Sequence, residues 1–139
     1  NNSKAGKDAQ NFLKKIFSEN QKKYSDLEES LKKEERDLLG KKEIITKDEY
    51  KKRSEELRKK VTKYQNDRRE SLNKITQQRT DARQKLLQKL DPILEKFAIK
   101  NNISIIIDKK NVIQGISELD VTNLIVEKLN KELPSLNLK

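Results

Sequence analysis

Two long apolar stripes of helical period, separated by a connection of only five residues, Lys41 to Ile45, constrain this chain more than anything else in it. The first stripe runs through Leu13, Phe17, Asn20, Tyr24, Leu27, Leu31, Glu34 and Leu38 in alternating steps of three and four, and six of these eight positions are apolar. Such a seam is wide enough for one partner helix and is flanked by charge. Ser3 is placed to cap its start. Gly40 can end it in the left-handed conformation, with Lys41 and Lys42 where a helix C-terminus favours cations. A helix over about residues 3–40 is expected, roughly 55 Å long at 1.5 Å per residue.

A second helix starts almost at once. Thr46 stands three residues before Glu49, a capping box, and Ile45 and Tyr50 occupy the two positions of a hydrophobic staple. So short a connection forces the helices side by side and antiparallel. Leu38, Leu39, Ile44, Ile45 and Tyr50 are then expected to gather at the tip as a small plug closing the turn. The second stripe, from Leu57 through Val61, Tyr64, Arg68, Leu72, Ile75, Arg79, Ala82, Leu86, Leu90 and Ile93 to Phe97, takes eleven steps over 40 residues, 3.64 per step. That is close to the natural helix period and demands little supercoiling. A nearly straight helix over about 47–100 is expected, with a kink near Pro92 or a restart there capped by Asp91. Arg68 and Arg79 interrupt the stripe, so the shaft should be thinly packed and bend easily.

Composition agrees with an elongated fold. With 139 residues, 40% charged, 32% hydrophobic and 4% aromatic, the chain is one domain at most and is lean for a globular core. The absence of His and Cys removes the usual metal ligands, the thiol nucleophile and the commonest general base. Gly6, Gly40 and Gly115 are isolated, so there is no phosphate loop, and no stretch approaches the ~18 apolar residues that span a bilayer. A protein without catalysis, metal or cofactor is expected. Zero cysteine fits an oxidising compartment and equally well a small cytosolic protein. The sequence starts Asn1-Asn2 and contains no Met, so a leader or more is expected to have been removed.

Charge is unevenly placed. Residues 41–69 hold 12 Lys and Arg against 6 Asp and Glu, more than half of the net +10. On charge alone the simplest account is a solvated helical face carrying i,i+4 pairs such as Glu55 with Lys59 and Glu56 with Lys60. The functional account is a basic surface for nucleic acid, anionic lipid headgroups or acidic polypeptide. Tyr50 and Tyr64 are the only aromatics there, which disfavours single-stranded nucleic acid.

The last third reads differently. Ile103, Ile105, Ile106 and Ile107 are β-branched and apolar on both strand faces, as in a strand buried on both sides. Asp108 to Asn111 would turn the chain and Val112-Ile113 begin a return strand ending near Gly115. Leu119 and Leu124 suggest a staple around Asp120 as N-cap of a short helix reaching about Asn130, with Val121, Leu124, Ile125 and Leu129 on one side and Pro134 beyond. Two strands alone are marginal in water, so this hairpin needs further strands from another segment or another subunit.

Four stretches, "NSKAGKDAQ" at 2–10, "ITKDEY" at 45–50, "LDPILEKFAIKNNISIIIDKKNVI" at 90–113 and "ELDVTNLIVEKLN" at 118–130, resemble the Skp/OmpH family of periplasmic chaperones. The resemblance covers nearly the whole chain in the order and spacing of elements, and is loose in the charged shaft. It implies a mainly α fold: a helical hairpin, or tentacle, over residues 1–100, and a C-terminal β-hairpin with a short helix over 101–139 that forms an assembly body. It also implies a homotrimer in the full-length protein, with Ile103, Ile105, Ile106, Ile107, Val112, Ile113 and Leu124 as assembly residues. The implied activity is an ATP-independent periplasmic holdase, free of cofactors, for unfolded outer-membrane proteins. Lys41, Lys42, Lys47, Lys51, Lys52, Arg53, Arg58, Lys59, Lys60 and Lys63 would form its basic tip and lower shaft, suited to acidic clients and anionic lipid surfaces. Family members begin with a short apolar strand ahead of the first helix; this sequence starts where that strand would have ended, so the strand is expected to be absent and the oligomer weakened or altered. A basic coiled-coil scaffold or nucleic-acid-binding adaptor is the alternative supported by charge alone.

Overall fold

The computed structural model describes residues 2–138. Three α-helices account for most of them: α1 over Lys4–Gly40, α2 over Lys47–Lys100 and α3 over Thr122–Glu132. Single 3-10 turns at Lys109–Asn111 and Ser117–Leu119 lie between α2 and α3. The chain divides into two compact units, one joining its start through Leu13 to Gln78 and beyond, the other Lys14–Gln77.

The Lys14–Gln77 unit is the antiparallel hairpin. Ties between the helices descend α2 as they climb α1: Asn20 to Ser71, Tyr24 and Glu28 to Tyr64, Glu34 to Lys60. Tyr24 is 5% exposed and meets the Tyr64 ring edge-on at 5.8 Å between centroids. Phe17 and Leu27 stay largely open to solvent, as a single narrow seam dictates when no third helix covers its flank.

Gly40 departs from expectation: it is the last residue of α1, has no positive φ, and a Cβ there would meet nothing within 4 Å. The turn is closed instead by short-range bonds, Lys41 N–H to Leu38 O at 3.1 Å and Lys42 N–H to Leu39 O at 3.2 Å, which let the chain leave the helix without a left-handed residue. The capping box at the start of α2 is half made. Thr46 Oγ1 accepts the Glu49 N–H at 3.2 Å, while the Glu49 carboxylate turns to the Arg53 guanidinium at 2.5 Å.

In the other unit, Ile93, Ile125 and Leu129 form a small buried cluster on which Leu86, Leu90, Leu94, Phe97, Val121 and Leu133 pack. Burying each of the three contributes about 1.5–3 kcal/mol. Ala5, Ala9 and Ala82 are buried as well. Ser3 caps α1 as its sequence position predicts, its hydroxyl accepting the Gly6 N–H at 3.1 Å, and Asn130 of α3 reaches across to accept the Lys4 N–H at 2.7 Å. α2 passes through Pro92 unbroken, so no restart at Asp91 occurs. The missing amide bond is one among many, and Leu90, Ile93, Leu94 and Phe97 hold that turn through tertiary contact.

The expected β-hairpin does not form: no strand occurs among the described residues. The Asp108–Asn111 turn is present but as a 3-10 turn, with Asn111 N–H bonded to Asp108 O at 2.8 Å and Val112 N–H to Lys109 O at 3.1 Å. The isoleucine run before it and the Val112-Ile113 pair after it exchange no backbone bonds. The reason is physical: two strands apolar on both faces would gain a few backbone bonds while leaving both faces in water, and a single chain supplies nothing to cover them.

Candidate functional site

All ten basic residues singled out from the sequence are exposed and lie in the hairpin unit. Three of them are engaged. Arg53 pairs with Glu49, Lys63 with Asp67 at 3.0 Å, and Lys60 with Glu34 of α1 at 2.7 Å. The pairs Glu55–Lys59 and Glu56–Lys60 expected along α2 are absent among the described residues; Lys60 takes the cross-helix partner instead. Lys41, Lys42, Lys47, Lys51, Lys52, Arg58 and Lys59 form no ion pair among the described residues. Beside them, a shallow open groove on α2 is lined by Arg58, Lys59, Thr62, Lys63, Asn66 and Asp67. The Thr62 hydroxyl donates to Arg58 O at 3.0 Å, leaving the Arg58 and Lys59 cations as the free chemistry of that face. Such a surface attracts anions by long-range field and holds none by built coordination.

Midway along the hairpin is a polar belt that the apolar pattern does not reveal. The Glu28 carboxylate accepts from Lys32 at 2.7 Å and from the Tyr64 hydroxyl at 3.1 Å, and Arg68 donates to that hydroxyl at 3.3 Å. The Lys32 bond, then the Tyr64 bond, hold Glu28 below the usual carboxylate range, and Glu28 in turn raises Lys32. The sequence signal for this belt is Arg68, a charged residue where the second apolar stripe is interrupted.

The assembly residues lie in the other unit. Ile103 is half-buried, its N–H bonded to Ala98 O at 2.9 Å beyond the end of α2. Ile105, Ile106, Ile107, Val112, Ile113 and Leu124 are exposed, Ile105 at 74% and Ile113 fully. Ile116, not singled out beforehand, is exposed too, as is Leu119. Leu119 and Leu124 therefore bury no staple; the inward side of α3 is Ile125 and Leu129.

This apolar segment is not loose coil. Asp108 Oδ1 accepts the Lys110 N–H at 3.1 Å, and Lys109 Nζ reaches Asp120 Oδ2 at 2.5 Å while Asp120 Oδ1 accepts the Thr122 N–H at 3.0 Å. The N-cap of α3 is Val121, not Asp120 as its sequence position suggests, because the helix starts two residues later; the Asp120 carboxylate instead holds the first amide of α3 and clasps the preceding turn, and the Lys109 bond, then those of Thr122, hold it far below the ordinary carboxylate range. Among the described residues no group of three or more His, Cys, Asp or Glu could hold a metal ion, and no helix is long and apolar enough to cross a membrane.

Among curated proteins, no sequence matches this chain. Among solved structures, an OmpH-like candidate outer membrane chaperone from Caulobacter crescentus CB15 superposes with a TM-score of 0.88 at 20% identity, covering 99% of this chain and 82% of that one. At that identity the likeness speaks to the fold. The description "Outer membrane protein (OmpH-like)" matches residues 1–129. The chain belongs to the OmpH-like outer membrane protein family.

Proposed function

We propose that this protein is an ATP-independent holdase chaperone that binds unfolded outer-membrane proteins in the periplasm and keeps them soluble, with no cofactor and no catalytic step. The observation that carries the reading is the family match over residues 1–129; the likeness to an OmpH-like candidate chaperone supports it. In the full-length protein assembly is into a homotrimer, in which Ile103, Ile105, Ile106, Ile107, Val112, Ile113 and Leu124 from different subunits cover one another; the exposure of most of these residues in the single chain supports that role. Such a patch on a lone chain marks an interaction surface. The basic tip and lower shaft, Lys41 to Lys63, meet acidic clients and anionic surfaces, supported by seven cations without an internal partner among the described residues.

The test is aggregation. A β-barrel membrane protein diluted from urea, in the absence of nucleotide, should remain soluble with this protein present at stoichiometric trimer. Unchanged light scattering from the client would refute the reading and leave the basic scaffold or nucleic-acid adaptor in its place. Sedimentation of the full-length protein at micromolar concentration checks the trimer separately, and its Ile105→Asp, Ile107→Asp variant should sediment as a monomer.

A further inference from the structure

The expected plug at the hairpin tip is incomplete, with Leu38, Ile45 and Tyr50 half-buried but Leu39 and Ile44 exposed. The larger exposed apolar set is in the other unit, and it has a frame built around it. Between the single turns Lys109–Asn111 and Ser117–Leu119, Val112, Ile113 and Ile116 stand in water, and Leu119 of the second turn joins them. Each turn is closed locally, by the Val112 N–H to Lys109 O at 3.1 Å and by the Asp120 N–H to Ser117 O at 3.0 Å. The other backbone bonds from Ile103 to Asp120 are also short in range, reaching no more than five positions along the chain among the described residues. One tie reaches further. The Lys109 ammonium donates to the Asp120 carboxylate, eleven positions on, and draws the neck of the loop 109–120 shut.

Exposed alkyl side chains on a short loop favour its collapse, because apolar surface gains by leaving water. The clasp opposes this by fixing the two ends of the loop together. A solvent-exposed ion pair shifts such a balance by only about twofold to fivefold. In an assembly of three identical chains the closed fraction of the loop enters once per chain, so small factors multiply. We propose that Lys109 and Asp120 are positioning residues for assembly: their clasp holds loop 109–120 in the closed form in which Val112, Ile113, Ile116 and Leu119 meet a second copy of this chain. A second copy is the favoured occupant because the loop is continuous with the assembly residues, Val112 and Ile113 belonging to both. This rests on the homotrimer reading and extends it, adding Ile116 and Leu119 to the interface and an ion pair within each chain to its control. Without the clasp in all three chains, the trimer's dissociation constant should rise by on the order of tenfold to a hundredfold.

Sedimentation of the full-length protein over a dilution series, at one fixed salt concentration, reads that constant. Asp120→Asn removes the charge and keeps an oxygen for the Thr122 N–H, while Lys109→Gln breaks the pair from the other side and leaves α3 untouched. Both should weaken the trimer by the same factor, and the two together by no more than either alone. Lys109→Arg, which keeps a cation within reach of the carboxylate, should assemble as the parent does. In Lys109→Gln the helical circular dichroism spectrum and the protection of the Thr122 amide should be unchanged, so that the loss is one of positioning and not of folding. A parent that stays monomeric at micromolar concentration would overturn the trimer and this proposal together. A parent that assembles, with Lys109→Gln assembling as tightly or more tightly, would overturn the proposal alone, and so would additive losses in the double variant. Ile116→Ser with Leu119→Ser should weaken the trimer without changing the helical spectrum, and an unchanged dissociation constant would overturn the placing of this loop at the interface. If Lys109→Gln lost protection of an unfolded client while the trimer stayed intact, the loop would be a client contact and the proposal would fall.

Discussion

Removing Ile93 tests how the C-terminal third is held. Ile93 is 3% exposed and sits where α2 meets α3, against Ile125 and Leu129, with Leu90, Leu94 and Phe97 around it. Ile93→Ala deletes three carbons, about 2.4 kcal/mol of transfer free energy at ~0.8 kcal/mol each. A rigid cavity would raise this toward about 4 kcal/mol, but six of the surrounding side chains are only partly buried and can settle inward, so about 3 kcal/mol is expected. Urea unfolding followed by circular dichroism reads it, at one fixed protein concentration because assembly would add concentration-dependent stability. Leu129→Ala alone and with Ile93→Ala completes a cycle, and side chains in one cluster should couple by about 1 kcal/mol. A loss under about 1 kcal/mol, or additivity within ~0.3 kcal/mol, would show that α3 is not docked on α2 through this cluster.

The remaining predictions concern the hairpin, the proline and the clasp. Tyr24→Ala should cost the hairpin about 3 kcal/mol, read as faster amide exchange along both helices from Asn20 to Ser71, with α3 unaffected. Pro92→Ala should restore a helix bond and stabilise α2 by roughly 1–3 kcal/mol, read as a rise in midpoint denaturation temperature. Asp120 has its carboxyl lowered from an ordinary 3.8 in the folded state, so the stability it lends is present above that value and is lost only as pH falls below it through the depressed folded value. The Thr122 amide should therefore stay protected on acidification past pH 3.8, and Asp120→Ala should remove that protection at neutral pH; early loss in the parent would show that the clasp does not form.

The helices were legible because local signals agree at their ends. Ser3 and Thr46 are caps with bonds to show for it, and the short link between Gly40 and Thr46 leaves no alternative to an antiparallel turn. What was not legible depends on long-range contact or on its lack. Gly40 reads as a left-handed terminator, yet short-range bonds in the turn make that conformation unnecessary. Pro92 reads as a kink or a restart, and the restart does not occur, because packing by its neighbours carries the helix through. Ile103 to Ile107 read as a buried strand because their β-branched pattern is one; a strand is a property of a pair, and a single chain offers no second edge. For the basic residues, sequence identifies the charge, but which cations are free depends on a cross-helix choice such as Lys60 taking Glu34.

The polar belt answers a problem that two repetitive apolar stripes create. Leucines spaced at helical period can pair in more than one register, since sliding one helix past the other by a heptad again sets apolar against apolar. In the observed register Asn20 faces Ser71, Glu28 faces Tyr64 and Glu34 faces Lys60. A heptad slip one way would set Glu28 against Leu57, costing it the Tyr64 hydroxyl, and would take Asn20 away from the Ser71 hydroxyl. A slip the other way would put Glu34 beside Asp67, carboxylate against carboxylate, and bring Tyr24 to Ser71 with its ring unpaired. The cost of each wrong register comes from polar groups stripped of partners. The few polar residues on the seam therefore decide what the many apolar ones leave undetermined, and through that register they set which residues reach the tip.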